Sequence, residues 1–228
     1  MKIWYTPMDN PSKTLRRLKP DLTPYLFHFT GGPNPIANMK SILGQKKLAS
    51  RRGYICFTDS PLTMLGEQLR YMDKFQKPMY SQFGIGFIRD VLVREHGCRP
   101  VIYGDENEQK LIDASLNWRF EPLDIVEHDF TWLREWRIAG GEFDFSGIKQ
   151  SDIVVVAPNE EALHEITMDV DVDVEFDYDN FTKESYPYPV YTVRRIWKGI
   201  PLSQAASFKD DNEMLQAIEN QKIGEEIK

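Results

Sequence analysis

From Asp169 to Asp179 the chain alternates without a break. Val170, Val172, Val174, Phe176 and Tyr178 take one parity, and Asp169, Asp171, Asp173, Glu175, Asp177 and Asp179 the other. Successive side chains leave a strand on opposite faces, so a period of two is the signature of a strand. A helix would scatter these carboxylates through its apolar side. The run is expected to be a half-buried strand with an acidic outer face, an edge guarded against pairing by repulsion. The alternative is a docking strip for a basic partner or a divalent cation.

Other strands are shorter and follow no βαβ rhythm. They are read at Leu26–Thr30, Tyr54–Thr58, Phe83–Asp90, Pro100–Tyr103, Arg134–Ala139, Asp152–Ala157 and Val190–Trp197, with Gly84 and Gly86 marking a close backbone approach. Helix signals fall between them. Asn10-Pro11 and Asn34-Pro35 each put a capping side chain before proline, the first leading through Leu15 and Leu18 to Pro20, the second through Ile36, Met39 and Leu43 to Gly44. Ser60-Pro61 opens another helix with Leu62, Leu65, Leu69 and Met72 on one side. Further helices are expected over Glu106–Asn117, from Asn159 through Ile166, and over Glu213–Asn220. Strands and helices mixed irregularly indicate an α+β fold.

A chain of 228 residues with 41 % hydrophobic and 12 % aromatic content can bury a substantial core. It is read as one domain over 1–228, with a core over 20–158 and an acidic C-terminal extension over 159–228 packed on it. Apolar runs such as Ile153–Pro158 are too short to cross a bilayer, and Met1–Asn10 lacks a signal-peptide pattern, so a cytoplasmic protein with no membrane partner is expected. Two distant cysteines, Cys56 and Cys98, exclude a disulfide framework. The histidines at 28, 96, 128 and 164 lack metal-ligand spacing, so no metal is expected. Residues 1–140 hold 20 basic against 16 acidic side chains, and residues 141–228 hold 8 against 19, so an anionic ligand is expected to bind toward the former.

Candidate chemistry concentrates on three strands. His28 and Thr30 share one face of the first, and Glu135 and Arg137 share one face of another. A carboxylate held on a strand can stabilise an oxocarbenium-like transition state and bond a sugar hydroxyl, and Arg137 beside it favours the ionised form. Ser60 is a natural helix cap, and a helix N-terminus also attracts a phosphate. Arg51 and Arg52 precede the second strand and suit a pyrophosphate, or form a solvated basic turn. Tyr54 and Tyr71 can stack on a flat aromatic ligand, or pack the core.

In their order and spacing these pieces resemble bacterial ADP-ribosyltransferases of the DarT-like and AbiGi-like phage-defence and toxin group, from about Tyr25 to about Ala157. The resemblance is carried by His28-Phe29-Thr30, Cys56-Phe57-Thr58-Asp59-Ser60-Pro61-Leu62, Phe83-Gly84-Ile85-Gly86-Phe87 and Glu135-Trp136-Arg137. It implies a split, mostly antiparallel β-sheet with flanking helices and NAD bound in the cleft as a substrate. His28 would contact the nicotinamide-side ribose and Glu135 would be the catalytic glutamate. Arg51 or Arg52 would match the arginine preceding the second strand, and no metal would be required. The chain departs from the DarT pattern in a sparser glycine-helix region and in the surroundings of the glutamate.

The expected activity is therefore transfer of ADP-ribose from NAD to a nucleic-acid or protein acceptor, with an inhibitory partner protein possible in such a system. The alternative is a non-enzymatic binding or antitoxin-like module on a degenerate transferase scaffold. A nuclease fits worst, because the carboxylates near the cleft do not cluster as two metals would demand. His28 and Glu135 must open on one cavity if the transferase reading is right.

Overall fold

Short apolar strands that are buried on both faces need helices on both sides, and the chain supplies them. The structure is a computed structural model, and residues 19, 21–76, 78–126 and 129–224 are described. The helix expected after Asn10-Pro11 and the histidine at 128 lie outside these residues.

Thirteen strands are named in chain order: β1 (Tyr25–Phe29), β2 (Lys47–Ala49), β3 (Tyr54–Thr58), β4 (Gly84–Ile88), β5 (Arg99–Pro100), β6 (Ile102–Gly104), β7 (Phe120–Pro122), β8 (Glu135–Ala139), β9 (Glu142–Asp144), β10 (Ile153–Ala157), β11 (Met168–Asp179), β12 (Glu184–Arg195) and β13 (Gly199–Pro201). The helices are α1 (Pro35–Gln45), α2 (Leu62–Met72), α3 (Arg89–Glu95), α4 (Glu106–Leu111), α5 (Glu160–Thr167), α6 (Leu202–Ala205) and α7 (Asp211–Glu219).

The main sheet has seven strands in the order β13-β10-β4-β1-β3-β8-β5. Its pairs are antiparallel except β10 with β13. The architecture is thus a mixed α/β fold around a mostly antiparallel sheet. One face carries Phe27, Phe29, Val154 and Val156, covered by Leu65 and Leu69 of α2 and by Met214 and Ile218 of α7. The other carries Leu26, Ile55, Phe57, Phe87 and Val155, covered by Met39 and Leu43 of α1 and by Leu163 and Ile166 of α5. The segment after residue 158 is part of this framework, because β13 completes the sheet and α7 enters its core. No helix among the described residues is long and apolar enough to cross a membrane.

Gly84 and Gly86 do mark a close approach, and what approaches is a side chain. A Cβ at Gly84 would lie 2.7 Å from the Phe29 ring, and one at Gly86 would meet the Phe27 ring more closely still.

Several boundaries differ from expectation. The helix expected over Glu106–Asn117 stops at Leu111, because the Asp113 carboxylate accepts from Ser115 N at 2.9 Å and starts a separate 3₁₀ turn, Ala114–Arg119. The strand expected over Pro100–Tyr103 divides, β5 pairing with β8 and β6 with β7. The last long strand starts at Glu184, through Pro187 and Pro189. In a two-stranded ribbon both strands are edges, where proline is tolerated.

The largest correction concerns Asp169–Asp179. It forms β11 of a two-stranded hairpin with β12, and its apolar side is not half-buried: Phe176 is 69 % and Val174 60 % exposed. Periodicity sorts side chains between two faces, and nothing among the described residues covers either one.

Candidate active site

Glu135 is the first residue of β8, and its position is set by the turn before it. A 3₁₀ turn, Thr131–Leu133, runs into Arg134 in left-handed backbone conformation at φ 47°. The turn after β3 holds that segment in place. Thr58 Oγ1 donates to the Leu133 carbonyl, and Ser60 Oγ donates to the Trp132 carbonyl at 2.8 Å. Arg134 is fixed at its far end by Asp21, through the backbone carbonyl and through Oδ2 at 3.0 Å. The Thr58-Asp59-Ser60 turn is therefore a lashing that presents the glutamate.

Arg137 aims that glutamate from below. Its side chain is 1 % exposed. Nε donates to Glu135 Oε1 at 2.8 Å, Nη1 to the carbonyls of Trp118 (3.2 Å) and Phe120 (2.8 Å), and Nη2 to Glu121. The guanidinium also lies 4.1 Å from the centre of the Tyr54 ring. Burial works against its charge, but Glu135 and Glu121 more than offset that and push its pKa up. Four of five N–H donors serve the protein itself, so Arg137 positions Glu135 and Tyr54 is its platform. Neither lines the cavity as a ligand-binding group would.

The cavity sits where the sheet loosens. β1 and β3 are joined by one pair, Phe27 with Thr58, and Thr58 pairs in turn with Glu135. These three side chains therefore share one face. His28 starts from the other face by alternation. Its Nδ1 donates to the Cys56 carbonyl at 2.9 Å across the unladdered stretch, and its ring packs against Phe57. That bond fixes the proton on Nδ1 and leaves Nε2 as the acceptor of the neutral ring. Burial holds the imidazole below its ordinary pKa, so it is uncharged at neutral pH.

His28 and Glu135 border the same cavity, although β3 separates their strands and the register sets them on opposite faces. Apolar walls come from Phe27, Phe29, Leu65, Leu69, Trp132 and Leu133, and Tyr80 adds a phenol. The volume is about 40 Å³, room for about three waters. Cys56 also lines it, but burial and then the Glu135 carboxylate push the thiol up to about 12, so it is no thiolate nucleophile. Burial, then Glu135, likewise raises the Tyr80 phenol, which stays a donor.

Other expected residues are engaged elsewhere. Thr30 Oγ1 bonds Ser81 Oγ at 2.7 Å and the Phe83 carbonyl at 3.3 Å, tying the end of β1 to the approach of β4. Ser60 does not cap α2. Pro61 holds the cap position, and the Asp211 carboxylate of α7 accepts from Leu62 N (3.0 Å) and Thr63 N (3.1 Å). The anion site expected at this helix N-terminus is thus filled by the protein's own carboxylate. Arg51 and Arg52 are exposed on the turn before β3, outside the cavity wall, and the charge of Arg52 acts on Cys56 and Tyr80. Tyr71 is exposed beside Phe75 and Lys74. Tyr80 and Asp211 had no signal in the sequence beyond residue type, since neither lies in a periodic segment that points at the site.

Compared with family models, curated proteins and solved structures, the chain has no match.

Proposed function

We propose that this chain is an NAD-dependent ADP-ribosyltransferase of a phage-defence or toxin system, with Glu135 and His28 as its catalytic pair and a nucleic-acid or protein acceptor. The observation that carries the reading is the meeting of His28 and Glu135 on one cavity, at the stretch where β1 and β3 leave their ladder.

The nicotinamide-side ribose lies between the two residues. The bond from C1′ to the nicotinamide nitrogen breaks, and its electron pair leaves with nicotinamide. Glu135, aimed by Arg137, stabilises the positive sugar. His28 accepts a ribose hydroxyl at Nε2. A lone pair of the acceptor closes the new bond to C1′, and the acceptor's proton goes to solvent. Arg51 or Arg52, both exposed on the turn before β3, would hold the pyrophosphate outside the cavity. At about 40 Å³ the cavity must widen to admit the nicotinamide ring.

That small volume favours a second reading, a binding or antitoxin-like module on a degenerate transferase scaffold. Nicotinamide release from NAD, with and without nucleic-acid and protein acceptors, separates the two. The transferase reading expects release by the wild-type chain and none by Glu135→Gln. No release, together with no rise in melting temperature at millimolar-order NAD, overturns it.

A further inference from the structure

β11 and β12 form a ribbon of two 12-residue strands, about 40 Å long. It leaves the body after α5, where Ile196 N donates to the Thr167 carbonyl at 2.8 Å, and it turns at Lys183 in left-handed conformation. Each strand has one neighbour, so among the described residues both outer edges are open. A two-stranded ribbon exposed on both faces is marginal alone, and an open edge is a template for another strand.

The two edges differ. β12 carries Pro187 and Pro189, which have no N–H, and proline in a sheet turns its nitrogen to the outer side. That edge cannot offer a continuous ladder. β11 has no proline in its length; Val170 N and Tyr178 N donate to the Asp169 (3.1 Å) and Asp177 (2.8 Å) carboxylates, and the run from Asp171 to Phe176 between them is the stretch an added strand can pair with.

The side chains of β11 select the partner. One face presents Asp169, Asp171, Asp173, Glu175, Asp177 and Asp179, with Arg194 answering Asp171 at 3.0 Å. The other presents Val170, Val172, Val174, Phe176 and Tyr178. A strand added to an edge sets each of its residues beside one on the same face. A second copy of β11 would oppose carboxylate to carboxylate, which disfavours self-pairing. A strand alternating basic with apolar residues would match both faces at once.

We propose that the outer edge of β11 is a docking edge for an extended segment of a partner protein in which Lys or Arg alternates with apolar residues. Main-chain bonds along the edge supply the binding, and the two side-chain rows set register and specificity. This is independent of the catalytic reading.

The test uses the full chain and two peptides as long as β11. One alternates lysine with valine, and the other has the same composition with its lysines contiguous. Titration should give binding of the alternating peptide that weakens with salt, with the contiguous peptide weaker by about tenfold. Amide exchange should slow along β11 and not along β12. Asp173→Lys with Asp177→Lys, both on the exposed arm, should weaken the alternating peptide by about tenfold. Equal binding of the two peptides, protection along β12, or no binding would overturn the proposal, as would self-association of the chain through the arm in sedimentation.

Discussion

Arg137 Nε donates to Glu135 Oε1 across two positions of one strand, at 2.8 Å, with the guanidinium almost wholly out of water. A carboxylate on a cavity wall is thereby held in one orientation by a cation whose other donors are anchored to Trp118, Phe120 and Glu121. The pair makes β8 both an element of the site and a staple to β7 and the 3₁₀ turn before it.

Removing the cation should cost far more than neutralising the anion. Arg137→Met leaves a buried carboxylate and two carbonyls without their donor, and should lower stability by about 3–5 kcal/mol. Glu135→Gln keeps an acceptor for Nε and should cost about 1 kcal/mol. Urea denaturation of both variants measures the difference. Arg137→Lys should not restore stability, because an ammonium cannot reach four partners in one plane.

Asp211 caps α2 from the other end of the chain, so its loss should be felt at the cavity wall. Asp211→Ala is expected to destabilise by about 2 kcal/mol and to speed amide exchange at Leu62 and Thr63. Asp211→Asn, which keeps one acceptor oxygen, should recover part of both effects.

Gly86 lies under the Phe27 ring, with no space for a methyl group. Gly86→Ala should push that ring from its rotamer and cost about 1–3 kcal/mol. Thermal unfolding would detect it as a clear fall in Tm. Gly44, where a Cβ would meet nothing, provides the control.

Acid should weaken the fold through His28. Its folded pKa is held below the ordinary 6.5 by burial, so the unfolded chain binds the proton more readily. The contribution is present above pH 6.5 and is lost as pH falls through the lower folded value. Stability followed from neutral to about pH 5 should decline in the wild type, and less so in His28→Gln, which can still donate to the Cys56 carbonyl. The difference between the two curves separates His28 from the other histidines.

Much of the scaffold was legible because its signals are local. Asn34 before Pro35 starts α1 as the cap rule requires, with Met39 and Leu43 inward. The alternation over Tyr25–Phe29, Tyr54–Thr58 and Glu135–Ala139 placed three strands that lie together in the sheet. What escaped was set by distant partners. Ser60 has the chemistry of a cap, yet a carboxylate 149 residues beyond Leu62 does the capping, and no spacing announces such a pair. Arg137 was visible as the neighbour of Glu135, but its depth follows from Tyr54 and the 118–121 segment folding over it. The apolar parity of β11 said which side chains share a face and not that the face would stay open.

The strand β13 and the carboxylate of Asp211 both come from the last stretch of the sequence, and both complete parts laid down much earlier. On the ribosome, β10 waits with a bare flank and α2 with bare amides until that stretch emerges from the exit tunnel. The α2 side of the cavity therefore sets only after residues made 149 positions later have arrived, so its assembly follows that of the β1–β3–β8 strands it covers.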